Sequence, residues 1–182
     1  MEFPFHTMKA DPTQAPVNLR CAVLTISSRR QAHDDTSGDY LDQALRDAGH
    51  TVQARGLCPD DRYQIRKTLS DWIADPAVQV ILCNGGTGFT HRKSTIAAVT
   101  PLLDQVVPGF GELFRHLSWL DIGASSLQSD ALGGTANDTL VFCLPGSTGA
   151  CRLAWEKILQ PQLDSRQPPC NFASAYRART PD

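Results

Sequence analysis

Val78-Gln-Val-Ile-Leu-Cys-Asn-Gly-Gly-Thr-Gly88 decides the fold. Residues 78–83 are nearly all apolar, the pattern of a strand buried on both faces. The run stops at Asn84, and glycines occupy positions 85, 86 and 88. Such glycines let the backbone bend and bring its N–H groups close to an anion, while Thr87 adds a hydroxyl. The stretch is neither G-x-G-x-x-G nor a Walker loop, because no Lys-Ser/Thr closes it at the right spacing. By itself it reads equally as a plain turn. A strand buried on both faces needs a layer of helices on each side, so short apolar runs should alternate with amphipathic helices.

Outward from this stretch the alternation is present. Cys21-Ala-Val-Leu-Thr-Ile26 and residues 139–144 read as further buried strands, and residues 51–57 as a strand candidate. Leu41, Ala44, Leu45 and Ala48 follow the i, i+3, i+4, i+7 rule of a helix face, and Gly49 is placed to end that helix. Ile65, Leu69, Trp72 and Ile73 mark a second helix. Residues 96–103 and 111–120 mark two more, and Cys151, Ala154, Trp155 and Ile158 mark the last. The expected architecture is one α/β domain over residues 18–172, a three-layer sandwich with a mostly parallel sheet. Residues 1–17, punctuated by Pro4, Pro12 and Pro16, read as a flexible arm, and residues 173–182 as a tail. From Gln160 onward the chain is rich in Pro, Arg and Gln and is expected along the surface.

Composition narrows the function. The chain of 182 residues is 41% hydrophobic and 20% charged, with a formal net charge of -2, which argues against non-specific nucleic-acid binding. No run approaches the ~18 apolar residues of a membrane span, and residues 1–15 lack a secretory h-region, so the cytoplasm is the expected compartment. The six cysteines are scattered and form no C-x-x-C pair, consistent with free thiols acting as small core hydrophobes. His33, His91 and His116 are isolated.

In sheets of this kind ligands bind beyond the carboxyl ends of the strands. Three segments qualify besides the pair Asp60-Asp61. After Ile26 come Ser27-Ser-Arg-Arg-Gln-Ala-His-Asp-Asp-Thr-Ser-Gly38, where Thr36 or Ser37 can cap a helix and Asp34 and Asp35 can complement its dipole. The loop at residues 85–88 is the second. Leu144-Pro-Gly-Ser147 is the third, placing free amides and a hydroxyl at a helix start, where an N-cap or an anion site is equally in keeping. Asp60 and Asp61 either start a helix or, beside phosphates, hold Mg²⁺.

Jointly, Asp34-Asp-Thr-Ser-Gly38, Gly85-Gly-Thr-Gly88, Pro108-Gly-Phe-Gly-Glu112 and Leu144-Pro-Gly-Ser147 resemble the molybdopterin-binding family of molybdenum cofactor biosynthesis. Phe114-Arg-His-Leu-Ser118, Ser126-Leu-Gln-Ser129, Ala150-Cys-Arg-Leu-Ala-Trp-Glu156 and Pro161-Gln-Leu-Asp164 extend the similarity, which runs in order from about Leu19 to Phe172. The resemblance implies a three-layer α/β fold assembling as a homo-oligomer, trimer or hexamer. It implies molybdopterin as ligand, held by Gly85, Gly86, Thr87 and Gly88 together with Pro145, Gly146 and Ser147. Active members transfer AMP from Mg-ATP to the molybdopterin phosphate. By that resemblance Ser27, Asp35, Ser37 and Arg92 belong to the nucleotide side, and Asp60, Asp35 and Lys93 stand at catalytic positions, with Asp60 as the magnesium ligand.

One departure bears on activity. After the glycine loop the family reads x-x-x-Arg-Asp-x-Thr-Pro-Glu, whereas here the stretch is Phe89-Thr-His-Arg-Lys-Ser-Thr-Ile-Ala97. Lys93 stands in place of the family aspartate and Ala97 in place of the glutamate. Lysine has donors and no acceptor, so it cannot ligate Mg²⁺. The leading expectation is a molybdopterin-binding protein with weak or no adenylyl transfer. The alternatives are an active Mg-ATP-dependent adenylyltransferase and a non-enzymatic oligomeric scaffold.

Overall fold

The computed structural model describes residues 9–89 and 94–179. Six strands form one sheet: β1 (Arg20–Ile26), β2 (Thr51–Cys58), β3 (Val80–Gly85), β4 (Gln105–Val106), β5 (Leu132–Ala136) and β6 (Thr139–Leu144). Their spatial order is β2-β1-β3-β6-β5-β4. The first four in that order are parallel, while β5 and β4 run antiparallel at the edge.

Alternation along the central strands splits the core in two, because successive strand side chains point to opposite faces. Cys21 and Val23 of β1, Val80 and Leu82 of β3, and Leu140, Phe142 and Leu144 of β6 face one layer. That layer holds α1 (Thr36–Asp47), α4 (Pro108–Ile122), α5 (Thr148–Ala154) and α6 (Gln160–Leu163). Ala22, Leu24, Ile26, Ile81, Cys83, Val141 and Cys143 face the other layer, covered by α2 (Arg62–Ala74) and α3 (Thr95–Val99). Helices on both sides of a mixed, mostly parallel sheet make the expected three-layer α/β sandwich. Among the described residues no helix is long and apolar enough to cross a membrane.

Local chemistry sets the boundaries. Asp35 caps α1 by accepting from the Gly38 amide at 3.1 Å, so the cap is Asp35 and not Thr36 or Ser37. Gly49, at φ +86°, turns the chain out of α1 as expected. Asp61 caps α2 through the Tyr63 and Gln64 amides, both at 2.9 Å. The helix expected over residues 96–103 is shorter: α3 passes at Thr100 into a 3₁₀ turn, Thr100–Leu102, which contains Pro101. Between α5 and α6 the helix widens to a π turn over Trp155–Leu159, so the three segments run on as one rod.

β2, expected as a strand, exposes Thr51, Gln53, Arg55 and Leu57 in alternation, as an edge strand does. One expectation is overturned. The stretch after Gln160 does not stay on the surface. Leu163, Ala173 and Tyr176 are buried in the α1/α4/α5 layer, Phe172 packs on Phe142 with ring centroids 5.8 Å apart, and the Tyr176 hydroxyl donates to the Asp138 carbonyl. Residues 11–17 lie against that same stretch, with the Val17 amide donating to Ser165 Oγ at 3.0 Å and the Asp11 amide to the Arg166 carbonyl at 3.0 Å.

Candidate functional site

β1, β3 and β6 lie side by side and end at the same edge of the sheet, which brings the three strand-end segments together. β3 runs out at Gly85. Gly85, Gly86 and Gly88 all take positive φ, +89°, +60° and +101°, conformations that side chains rarely adopt. Gly86 is also enclosed: an added Cβ would lie 2.1 Å from Thr95 Oγ1 and 2.7 Å from Ile26 Cγ2. Thr95 holds the loop from behind, its amide donating to the Gly86 carbonyl at 3.0 Å and its hydroxyl to the Gly85 carbonyl at 2.8 Å. Thr87 and Gly88 are partly exposed, and their amides meet no acceptor among the described residues.

The loop after β6 abuts this one. A Cβ on Gly146 would lie 3.0 Å from the Gly85 Cα, so glycine is what lets the two backbones meet. Pro145 ends β6, and Ser147 caps α5 by accepting from the Ala150 amide at 3.2 Å. The cap role of Ser147 does not consume its hydroxyl hydrogen, which stays available for donation from an exposed position. The arrangement offers backbone amides and two hydroxyls, on Thr87 and Ser147, to an anionic or amide-bearing ligand.

Beneath the loops lies a closed polar network. Ser27 Oγ accepts from the amides of Arg29 and Arg30, which shapes the segment after β1. Asp35 and Ser37 are both buried, 2% and 0% exposed. Asp35 accepts from Thr25 Oγ1 at 2.7 Å and Arg55 Nη2 at 3.0 Å, besides the Gly38 amide. Ser37 donates to Asn84 Oδ1 at 3.0 Å and accepts from Arg30 Nη1. These two residues therefore stand behind the loops and not on the ligand face. Burial weighs against the charge on Arg55, but its hydrogen bonds to Asp35 and Asp39 prevail and raise its pKa. Beside the network, burial pushes the Cys151 thiol up to about 12, with Arg30 acting in the opposite direction.

Asp60 lies at the other flank, half-buried, beyond the end of β2. Its amide donates to Ser28 Oγ at 3.0 Å and its Oδ1 accepts from the Ser94 amide at 2.8 Å, so Asp60 ties the loop after β1 to the start of α3. Ala97 is exposed on α3, where its carbonyl accepts from Arg66. Arg92 and Lys93 lie outside the described residues, as does His91.

The donor set does not fit a protein-built magnesium site. Among the described residues no three His, Cys, Asp or Glu side chains converge. Asp35 is enclosed, one oxygen of Asp60 is engaged by Ser94, and residues 90–93 (Thr, His, Arg, Lys) bring no carboxylate. Hard cations need such oxygens.

Sequence reasoning brought together the glycine loop, the Pro-Gly-Ser loop and Asp60, and missed the residues that join them. Thr25, Arg30, Arg55 and Asn84 carry the network. A threonine and an asparagine at the ends of otherwise apolar strands were the available signal, since a buried polar side chain requires a partner.

Residues 22–165 match the family model described as a probable molybdopterin binding domain. Molybdenum cofactor biosynthesis protein B of Escherichia coli is 53% identical over 156 residues, covering 86% of this chain and 92% of the relative. The Bacillus cereus protein of that name is 46% identical, covering 82% and 89%. A solved molybdenum cofactor biosynthesis protein B superposes with a TM-score of 0.80 at 46% identity, covering 82% of this chain and 94% of that one. The tungsten cofactor synthesizing protein MoaB of Pyrococcus furiosus gives 0.71 at 30% identity, covering 80% and 92%. The match over residues 22–165 and 53% identity across 86% of the chain place this protein in the molybdopterin-binding domain family of molybdenum cofactor biosynthesis proteins.

Proposed function

We propose that this protein binds molybdopterin where the loops after β3 and β6 meet, and that it transfers adenylyl groups weakly or not at all. The observation that carries the reading is the contact of Gly146 with Gly85, which turns two amide-rich loops toward one ligand. The amides of Thr87 and Gly88 and the hydroxyls of Thr87 and Ser147 are the groups offered to the phosphate and pterin amide. Gly85, Gly86 and Pro145 give the loops their course. Ser27, Asp35 and Ser37 shape the nucleotide side from within, and Asp60 borders it.

Lys93 bears on the reaction by charge. Where the family aspartate would attract a divalent ion, lysine repels it, a change of two charge units. Lysine can contact a phosphate directly, but it cannot template two oxygens in line as a metal does. Restoring the acid, Lys93→Asp, should raise affinity for Mg-ATP, read by equilibrium dialysis; unchanged affinity would assign the deficit elsewhere, Ala97 being next in line.

The same reading includes a cytoplasmic homo-oligomer. Trp119, Leu120 and Ile122 at the end of α4 and Leu127 just after it are 50–84% exposed, an apolar surface that a second copy of the chain would cover. Binding is tested by ultrafiltration of the purified protein with fresh molybdopterin. Retention at micromolar concentration is expected, and the absence of retention would end the proposal.

A further inference from the structure

We infer that Arg30 is a positioning residue that fixes the separation of the two ligand loops, and that Asp35 and Asn84 act through it. The inference rests on the molybdopterin-binding reading for its functional consequence and on geometry for the coupling itself.

Asn84 immediately precedes Gly85, and its side chain points down into the network, donating to Thr25 Oγ1 at 2.9 Å and accepting from Ser37 Oγ at 3.0 Å. Ser37 in turn accepts from Arg30 Nη1, and Arg30 Nη2 donates to the Gly146 carbonyl at 2.8 Å. A continuous chain of hydrogen bonds therefore runs from the root of one loop to the middle of the other. Gly146 has no side chain with which to fix itself, and among the described residues its carbonyl is held by Arg30. Asp35 steadies the guanidinium from below, with Oδ1 3.7 Å from Nη1. It is itself nearly inaccessible and held by Thr25 and Arg55.

The residue type follows from the geometry. A planar fork with two separate Nη atoms reaches Ser37 and Gly146 at once, whereas a lysine ammonium is a single point on a flexible stem. No buried side-chain polar atom here lacks a partner among the described residues, so each removal leaves another group orphaned. A positioning role thus predicts something that simple attraction of an anion does not: lysine at position 30 keeps the charge and loses the bridge.

The test compares wild type with Arg30→Ala, Arg30→Lys and Asn84→Ala in two measurements. The first is hydrogen exchange of ligand-free protein over residues 144–151. All three variants should exchange faster there, by about 10-fold to 100-fold for Arg30→Ala, the range for losing a hydrogen bond to a charged group. Residues 62–74 on the far layer should not change. The second is molybdopterin affinity, which should weaken in parallel, with free guanidinium ion restoring Arg30→Ala and leaving Arg30→Lys unimproved. Unchanged exchange over residues 144–151 in Arg30→Ala would overturn the inference, as would full rescue by lysine. If wild type itself failed to retain molybdopterin, the functional reading would fall while the exchange measurement still decided the coupling.

Discussion

Replacing Gly86 by alanine probes the loop where it is most confined. The new Cβ would sit 2.1 Å from Thr95 Oγ1, 2.7 Å from Ile26 Cγ2 and 3.3 Å from Asp60 Oδ1, with the backbone at φ +60°. Thr95 cannot swing aside freely. It is 0% exposed and bonded to both Gly85 and Gly86 carbonyls, so relief of the clash loosens the loop itself. A side chain in left-handed backbone costs roughly 1–2 kcal/mol, and overpacking adds about 1–3 kcal/mol, giving about 2–5 kcal/mol together. Gly49→Ala is the matched control, because its φ of +86° carries backbone strain with nothing within 4 Å of the added Cβ. With a urea slope of about 2 kcal/mol per molar, the midpoint should fall by about 1–2.5 M for Gly86→Ala and by about 0.5–1 M for Gly49→Ala, with slopes unchanged. Urea titration followed by tryptophan fluorescence reads both. Equal midpoints for the two variants would refute the reasoning, since Thr95 and Ile26 would then have yielded at no cost.

Other expectations follow from single contacts. Asp61→Ala removes the cap that accepts from Tyr63 and Gln64 and should cost about 1–2 kcal/mol in the same titration. Burial lowers the pKa of His50, with Asp164 acting in the opposite direction, and its Nδ1 accepts from the Leu19 amide at 3.3 Å. Below about pH 6.5 the unfolded chain gains a proton there that the folded chain refuses, so stability should fall as pH drops through that window. His50→Asn, which keeps an acceptor and does not titrate, should show a smaller loss in melting temperature between pH 7.5 and 5.5; an identical loss would remove His50 from the account. Of the six cysteines only Cys170 is exposed, so native protein should react rapidly with one equivalent of a thiol reagent and with six after denaturation. Rapid reaction at a second site would mean that one of the five buried thiols is accessible in the native protein.

The central strands were legible because their burial on both faces leaves an unbroken apolar run, as in residues 80–83 and 139–144. β5 was not: Leu132-Gly-Gly-Thr-Ala136 has two glycines and no apolar run, and its strand character comes from pairing with β6 rather than from propensity. β4 is only Gln105–Val106, too short for any pattern. The last stretch misled for a different reason. Its prolines read as surface punctuation, yet Phe172, Ala173 and Tyr176 beyond them pack onto the core. At the site, glycine spacing disclosed the two loops, because a close backbone approach demands glycine whatever the partner. Arg30 carries no local signal of a role in the sequence. Its importance lies in reaching Ser37 and Gly146, and sequence separation of 116 residues from Gly146 leaves no periodic trace.

The most direct measurement is a single reaction containing the protein, molybdopterin and Mg-ATP, resolved by chromatography for adenylylated molybdopterin and assayed for pyrophosphate. The account predicts molybdopterin retained on the protein with little or no adenylylated product. Adenylylated molybdopterin formed over many turnovers, with stoichiometric pyrophosphate, would contradict it and show that Lys93 does not silence the reaction.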